Sequence, residues 1–87
     1  MDLKPIKSNM TELEIDGIKI LFSYQTPVAV LIKEGENWHQ YKTDKKWSRM
    51  TSRHISTWNP LGGAYGIKPQ EYFDNLVKYL KNTVEEN

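Results

Sequence analysis

Apolar and polar residues alternate on both sides of Asp16-Gly17, and this is the clearest local pattern in the chain. An Asp-Gly pair supplies the two positive-φ positions of a type I′ turn, so the pattern predicts a β-hairpin with a two-residue loop. The register then pairs Ile15 with Ile18 on the apolar face and Glu14 with the oppositely charged Lys19 on the other. Turn chemistry, alternation and charge agree, which indicates a true strand pair.

Two or three further strands are expected after the hairpin. Residues 28–32 are apolar at every position, which is typical of a central strand covered on both faces. We expect this strand to begin near Val28, because the proline of Thr26-Pro27 cannot donate a hydrogen bond to a neighbouring strand. After a polar loop, residues 38–43 are predicted to return antiparallel, and Trp47-Ser48 to close a short fifth strand.

The second half of the chain shows helical patterns. Thr51 or Ser52 can cap a short helix that runs to Trp58. A glycine-rich link follows at residues 61–66, and Pro69 is placed as the first residue of a final helix. The apolar residues of that helix form one stripe, namely Phe73, Leu76, Val77, Leu80 and Val84. The sequence therefore predicts an α+β fold in which an antiparallel β-sheet, built from an N-terminal hairpin and two or three further strands, precedes a short helix and a C-terminal amphipathic helix. Both helices are expected on one face of the sheet.

Length and composition fit one small domain over residues 1–87. The 87 residues are 38% hydrophobic and 26% charged, as in ordinary globular domains. We expect a flexible N-terminus over residues 1–10 and a frayed C-terminus over residues 82–87. Because the sequence has no cysteine, disulfides and cysteine-ligated metals are excluded. Without a secretory signal or a membrane-length apolar run, the expected location is the cytoplasm of a bacterial host, with no membrane partner.

The net charge of +1 hides a basic segment in the middle of the chain. Residues 38–54 contain five Lys and Arg residues against one acidic residue, Asp44, which gives a local net charge of +4. Three aromatic residues, Trp38, Tyr41 and Trp47, lie among these cations. An electrostatic partner is therefore expected to meet this segment.

Patterns for catalysis or metal binding are weak. Neither His39 nor His54 has a second ligand at the spacing that a strand or helix needs for a metal site. Ser52 is near His54 in sequence, yet residues this close on a helix do not face each other, so a capping serine and a surface histidine are expected. Residues 61–66 lack the ending of a phosphate-binding loop, so a flexible link is the default, with Tyr65 as a candidate contact residue. We therefore predict no enzyme activity, no catalytic residue, no metal and no cofactor.

The basic-aromatic segment is the best candidate for partner binding. Its members are Trp38, Tyr41, Lys42, Lys45, Lys46, Trp47, Arg49, Arg53 and His54. Cations hold phosphates and aromatic rings stack on unpaired bases, which suits single-stranded nucleic acid. The same residue types are enriched at protein–protein interfaces. A third interpretation places Trp38, Trp47 and Trp58 in the core, with lysines that only solvate a turn.

Three segments resemble a known family: residues 18–29 (IKILFSYQTPVA), 41–48 (YKTDKKWS) and 51–55 (TSRHI). They are similar to small uncharacterised proteins of bacteriophages and other mobile elements, over most of residues 11–80. That family carries no established activity, so the resemblance implies a biological context and assigns no site residues. Small phage proteins of this kind often bind a host machine, including the nucleases of defence systems such as CRISPR effectors.

These observations favour a non-enzymatic accessory protein that binds a macromolecular partner, either a host protein or a protein–nucleic-acid complex. One form of this function is inhibition of a host defence complex, in the manner of an anti-CRISPR protein. The alternative is a small nucleic-acid-binding regulator that uses the same segment. Sequestration of a small molecule is a third hypothesis, and a homodimer through an exposed strand stays open.

Overall fold

The computed structural model describes residues 2–7 and 9–85, and the side chains of residues 3–6 and 9–81. The elements are β1 Asp2–Lys7, β2 Met10–Ile15, β3 Ile18–Ser23, β4 Thr26–Glu34, β5 Asn37–Thr43, α1 Arg49–Trp58, β6 Gly66–Lys68 and α2 Gln70–Glu85. In this described part, six strands form a sheet in chain order, β1 to β6. Strands β1 to β5 are antiparallel to their neighbours, and β6 is parallel to β5. The α+β class is confirmed, with more strands than expected.

The hairpin at Asp16-Gly17 is confirmed. Asp16 has a φ of 50° and Gly17 a φ of 78°, as a type I′ turn requires. Ile15 pairs with Ile18 and Glu14 pairs with Lys19, which is the predicted register. A shift of this register by one residue would turn the buried side chains to solvent.

Strand β4 is the predicted central strand, but it begins at Thr26. Its centre, residues 28–30, is fully buried. Pro27 is part of the strand because the register between β3 and β4 shifts at this point. A β-bulge of this kind removes the ladder bond that a proline cannot make. The sequence rule that places the strand after the proline therefore misses two residues.

The first face of the sheet is covered by α2. Phe73 and Leu80 are the buried residues of its apolar stripe. The core cluster on this face consists of Leu13, Ile15, Ile20, Val30, Phe73 and Leu80. These strand residues belong to three neighbouring strands and point to the same side, as the alternation along each strand requires.

The opposite face is covered by α1. Its core cluster consists of Met10, Leu21, Val28, Ala29 and Ile55, against which Trp58 and Tyr65 pack. The expectation that both helices lie on one face is wrong, because Leu21 and Ala29 point away from α2 and need a cover of their own. The domain is a sandwich of three layers, with one helix on each side of the sheet.

Both edge strands, β1 and β6, lie where no strand is predicted. Residues 1–10 are expected to be flexible, whereas Asp2–Lys7 pairs with β2; residues 1 and 8 lie outside the described part. Strand β6 is only three residues long and begins at the last glycine of the expected link. Neither segment has the alternation of a strand with one buried face. Both segments form strands because they pair with a neighbouring strand, which is a tertiary effect.

Helix α1 begins earlier than predicted. Ser48 is its N-cap, and the Ser48 Oγ accepts a hydrogen bond from the backbone N–H of Thr51 at 3.3 Å. The short fifth strand expected at Trp47-Ser48 is therefore wrong. The predicted caps Thr51 and Ser52 are wrong, because both residues lie inside the helix. The predicted end of the helix at Trp58 is confirmed.

Helix α2 begins at Gln70, directly after Pro69, close to the predicted start. It continues to Glu85. Residues 86 and 87 and the side chains of residues 82–85, where a frayed end is predicted, lie outside the described part. Among the described helices, neither is long and apolar enough to cross a membrane.

Candidate functional site

The segment 38–54 does not form one continuous surface. Trp38, which is 45% exposed, lies at the start of β5, about 13 Å along the strand from Lys42. Tyr41 lies on the α2 face, where its hydroxyl donates to Glu34 Oε1 at 2.6 Å and its ring stacks on His39. The hydrogen bond to the Glu34 carboxylate raises the pKa of Tyr41. The structure thus separates Trp38 and Tyr41 from the cations that follow.

Five cations lie on consecutive segments of the chain, at the end of β5, in the loop that follows and along α1. They are Lys42, Lys45, Lys46, Arg49 and Arg53, and we call them the basic surface. Lys42 is half-buried and the other four are exposed. Arg49 and Arg53 are one turn apart and share the outer side of α1. Within the described part of the chain, none of the five side chains forms an ion pair with a carboxylate.

Trp47 borders the basic surface and is 38% exposed. Its Nε1 donates to Gln70 Oε1 at 3.2 Å, and the Lys45 ammonium lies 4.2 Å from its ring centroid, a cation–π distance. Gln70 also donates to the carbonyl of Pro27 at 2.7 Å. These contacts fix the loop before α1 to the start of α2 and hold the Trp47 ring beside the cations.

Only one tryptophan packs against a core cluster. Trp58 is half-buried against the α1 cluster, and its Nε1 donates to Glu12 Oε1 at 2.9 Å. Trp38 and Trp47 are exposed. The interpretation that all three rings form the core therefore holds for Trp58 alone, and the other two are free to make contacts.

A cleft of about 420 Å³ opens between α1, the loop after β5 and strand β6. Three lysines of the basic surface line it, namely Lys42, Lys45 and Lys46. Asp44 is the acidic residue of the lining, so these four side chains carry a net charge of +2. Ser52 and Ser56, one turn apart on α1, add two hydroxyls. The rim of the cleft therefore combines positive charge with hydrogen-bond donors.

The apolar residues that line the cleft are Ile55, which is buried, Tyr65, which is half-buried, and Ile67, which is exposed. The Tyr65 hydroxyl donates to the carbonyl of Ile55 at 2.7 Å. Burial raises the pKa of Tyr65 to about 12. Tyr65 is predicted as a contact residue on a flexible link, and the structure instead builds its ring into the wall of a cleft.

Gln40 anchors the glycine-rich link that carries Tyr65. Its buried Nε2 donates to Asn59 Oδ1 at 2.7 Å and to the carbonyl of Gly63 at 3.0 Å. Its Oε1 accepts from the backbone N–H of Leu61 at 3.0 Å. The expected flexible link is thus a hydrogen-bonded loop. The sequence gives no sign of these partners, because a single glutamine in a strand belongs to no recognisable motif.

Gly66 permits the close approach of β6 to β5. A Cβ at this position would lie 2.7 Å from Cδ1 of Tyr41, closer than real side chains come. Tyr41 is the residue that pairs with Gly66 in the parallel ladder. The glycine is therefore needed for the edge strand that carries Ile67 to the cleft.

His54 lies outside the basic surface. It is only 5% exposed, and its Nδ1 is 2.8 Å from the Oγ of Ser23, which is in turn 2.9 Å from the Oγ1 of Thr51. The expectation of a surface histidine is wrong, because this side of α1 faces the sheet. Ser23 is 2% exposed, so the Ser–His contact joins α1 to β3 and has no open side for a substrate.

Fold and site together define a small α+β domain of three layers, with a basic cleft beside an edge strand. No three His, Asp or Glu side chains among the described residues converge as metal ligands. The chain matches a family of unknown function (DUF8033) over residues 1–75, and it belongs to this family. The match gives no indication of a phage or mobile-element origin. Neither a curated protein nor a solved structure matches the chain.

Proposed function

We propose that the protein is a non-catalytic binding domain that engages an acidic face of a partner protein through the basic surface. One observation carries the proposal, namely five cations on adjacent elements that lack an ion pair with any carboxylate of the described residues. Like charges held together repel one another, and a partner that brings carboxylates relieves this repulsion. Charge complementarity of this kind accelerates association and selects among partners.

The position of Trp47 supports the proposal. Its ring is partly exposed beside the cations and is held by hydrogen bonding and by Lys45. Tryptophan and arginine are the residues most enriched at interface hot spots. A ring that is already held in place loses little conformational freedom when a partner covers it. Inhibition of a host defence complex is one form of this function and stays a prediction.

The non-catalytic part of the proposal rests on the Ser23–His54 contact. A serine nucleophile must meet its substrate, and both of these side chains are buried where α1 packs on β3. The residues that are exposed, such as Lys46 and Arg49, are positioned for recognition.

Charge reversal with a matched control tests the proposal. The variant K45E/K46E/R49E reverses three charges of the basic surface, and K33E/K78E/K81E reverses three at exposed positions outside it. We expect both variants to fold, since Lys45 and Lys46 lie in a loop and a glutamate in the first turn of a helix is favourable. Circular dichroism and thermal unfolding check this expectation.

Tagged wild-type protein and both variants are then incubated with nuclease-treated lysate of the organism that encodes the chain, and bound proteins are quantified. We expect a stoichiometric partner on the wild type and on K33E/K78E/K81E, and its loss from K45E/K46E/R49E. Retention of every wild-type partner by K45E/K46E/R49E would show that the basic surface is not the interface.

Nucleic acid is the second candidate partner, favoured by the position of Lys42, Lys45 and Lys46 along a cleft next to an exposed indole ring. This arrangement suits a single strand, because the backbone follows the charge and a base stacks on Trp47. Affinity for a fluorescent single-stranded oligonucleotide should then fall with salt. K45Q/K46Q should reduce the slope of log affinity against log salt concentration by about 1.4, since each phosphate contact on a single strand contributes about 0.7. An affinity that does not depend on salt would contradict this function.

A further inference from the structure

We infer that the cleft between α1, the loop after β5 and strand β6 is a binding site for a phosphate monoester that carries a flat or apolar organic group. The site would take a small molecule of about nucleotide size. It goes beyond the proposed function, because it needs no macromolecular partner.

The charge of the rim fits a phosphate monoester. Three lysines and Asp44 give the rim a net charge of +2. A phosphate monoester carries about −1.5 to −2 at neutral pH and presents three acceptor oxygens. The lysine ammoniums and the hydroxyls of Ser52 and Ser56 are donors that these oxygens can use. A carboxylate, with one negative charge, would leave the rim positively charged.

The size and the apolar lining of the cleft fit a ligand that carries an organic group in addition to the phosphate. A volume of about 420 Å³ lies within the range of about 300–1,000 Å³ in which proteins hold small ligands. Ile55, Tyr65 and Ile67 offer an apolar surface next to the lysines. Because the Tyr65 hydroxyl is bound to the Ile55 carbonyl, its ring is held against the cleft, where a flat group can pack on it.

The walls of the cleft are fixed by hydrogen bonds that do not depend on a ligand. The backbone N–H of Asp44 donates to the carbonyl of Lys68 at 2.9 Å, which joins the loop to the end of β6. The backbone N–H of Lys45 donates to Thr43 Oγ1 at 3.1 Å. A site that is already in place saves the cost of ordering its loop on binding.

Calorimetric titration of the full chain at low salt tests the inference, with AMP as the phosphate monoester. Adenosine and inorganic phosphate are the matched partial ligands. We expect AMP to bind one to one and more tightly than either part. The variant S52A/S56A should weaken AMP binding by about 30-fold, since two hydrogen bonds are lost. The control T57A removes an exposed hydroxyl of α1 that does not line the cleft, and it should bind like the wild type.

Two results would overturn the inference, namely the absence of saturable AMP binding and equal affinity of S52A/S56A and wild type for AMP. If the protein does not bind AMP but binds a single-stranded oligonucleotide, the cleft would be assigned to a nucleic-acid backbone. S52A/S56A keeps all five cations, so it should capture the protein partner as the wild type does. Failure of this inference is therefore distinguishable from failure of the proposed function.

Discussion

The hydrogen bonds of Gln40 predict how much stability the domain loses when this residue is substituted. The substitution Gln40→Glu keeps the shape of the side chain but replaces the two N–H donors by an oxygen and adds a negative charge. That charge would face Asn59 Oδ1 and the Gly63 carbonyl, which now accept hydrogen bonds at 2.7 and 3.0 Å. Gln40 is 6% exposed, so the introduced carboxylate would be shielded from water. We expect the loop that carries Tyr65 to lose its anchor.

The magnitude follows from the number of bonds. Each lost hydrogen bond costs about 1 kcal/mol, and a buried negative charge that faces two acceptors adds about 1 kcal/mol or more. The free energy of unfolding should therefore fall by about 3 kcal/mol, a large part of the stability of a small domain. For a domain of this size, this loss lowers the Tm by about 12–24 °C.

Thermal unfolding of Q40E against Q25E is the assay. Gln25 lies in the exposed turn between β3 and β4, so Q25E makes the same chemical change where water is present. We expect the Tm of Q25E to stay within a few degrees of the wild type, because surface changes usually cost less than about 0.5 kcal/mol. Equal Tm values for Q40E and Q25E at neutral pH would refute the anchoring role of Gln40.

The pH dependence of Q40E provides a second test. Carbonyl oxygens and burial raise the pKa of the introduced carboxyl in the folded protein above the value of about 4.3 in an unfolded chain. Below a pH of about 4.3 the introduced carboxyl is protonated in both the folded and the unfolded state, so its charge does not contribute to the loss of stability. The difference in free energy of unfolding between wild type and Q40E should therefore grow as the pH rises above about 4.3, and it should level off above the pKa of the carboxyl in the folded protein. A difference that shrinks as the pH rises would contradict this explanation.

Three further predictions concern the edge strand β6, Tyr65 in the lining of the cleft and the N-cap of α1. Gly66→Ala should cost about 1–3 kcal/mol in urea unfolding, because its Cβ meets the Tyr41 ring; the same cost in a Tyr41→Ala background would contradict the contact. Burial raises the pKa of Tyr65 to about 12, so the free energy of unfolding should fall as the pH rises from about 10, where unfolded tyrosine ionises, to the folded value. Tyr65→Phe should remove the tyrosine that ionises last in an absorbance titration, and an unchanged titration would count against this assignment. Ser48→Ala removes the N-cap of α1 and should cost about 1 kcal/mol, whereas Ser56→Ala, on the exposed side of the same helix, should be nearly neutral.

Local signals were sufficient to predict the hairpin, the central strand and the C-terminal helix. Asp16-Gly17 determines its own turn, and the apolar stripe with Phe73 and Leu80 determines the buried side of α2. The edge strands and the placement of α1 depend on partners that are distant in the chain. The apolar run at residues 28–32 did indicate a strand covered on both faces, but the pattern alone does not show which helix covers the second face.

The candidate site was predicted in part. Three of the cations in residues 38–54, namely Lys42, Lys45 and Lys46, line the cleft, and their role in partner binding stays a prediction. The cleft could not be predicted, because Ser52, Tyr65 and Ile67 come from separate elements. His54 was expected on the surface because its partner Ser23 is 31 residues away and carries no signal in the sequence. Trp38 is separated from the cations because β5, a predicted strand, is extended and places Trp38 about 13 Å from Lys42.

The proposal that the basic surface binds an acidic partner is tested most directly by the affinity of the captured partner for the two triple variants. Calorimetry should give K33E/K78E/K81E the wild-type Kd and K45E/K46E/R49E a Kd that is higher by about tenfold or more. Equal Kd values for wild type and K45E/K46E/R49E, with both variants folded, would contradict the proposal and place the interface elsewhere on the domain.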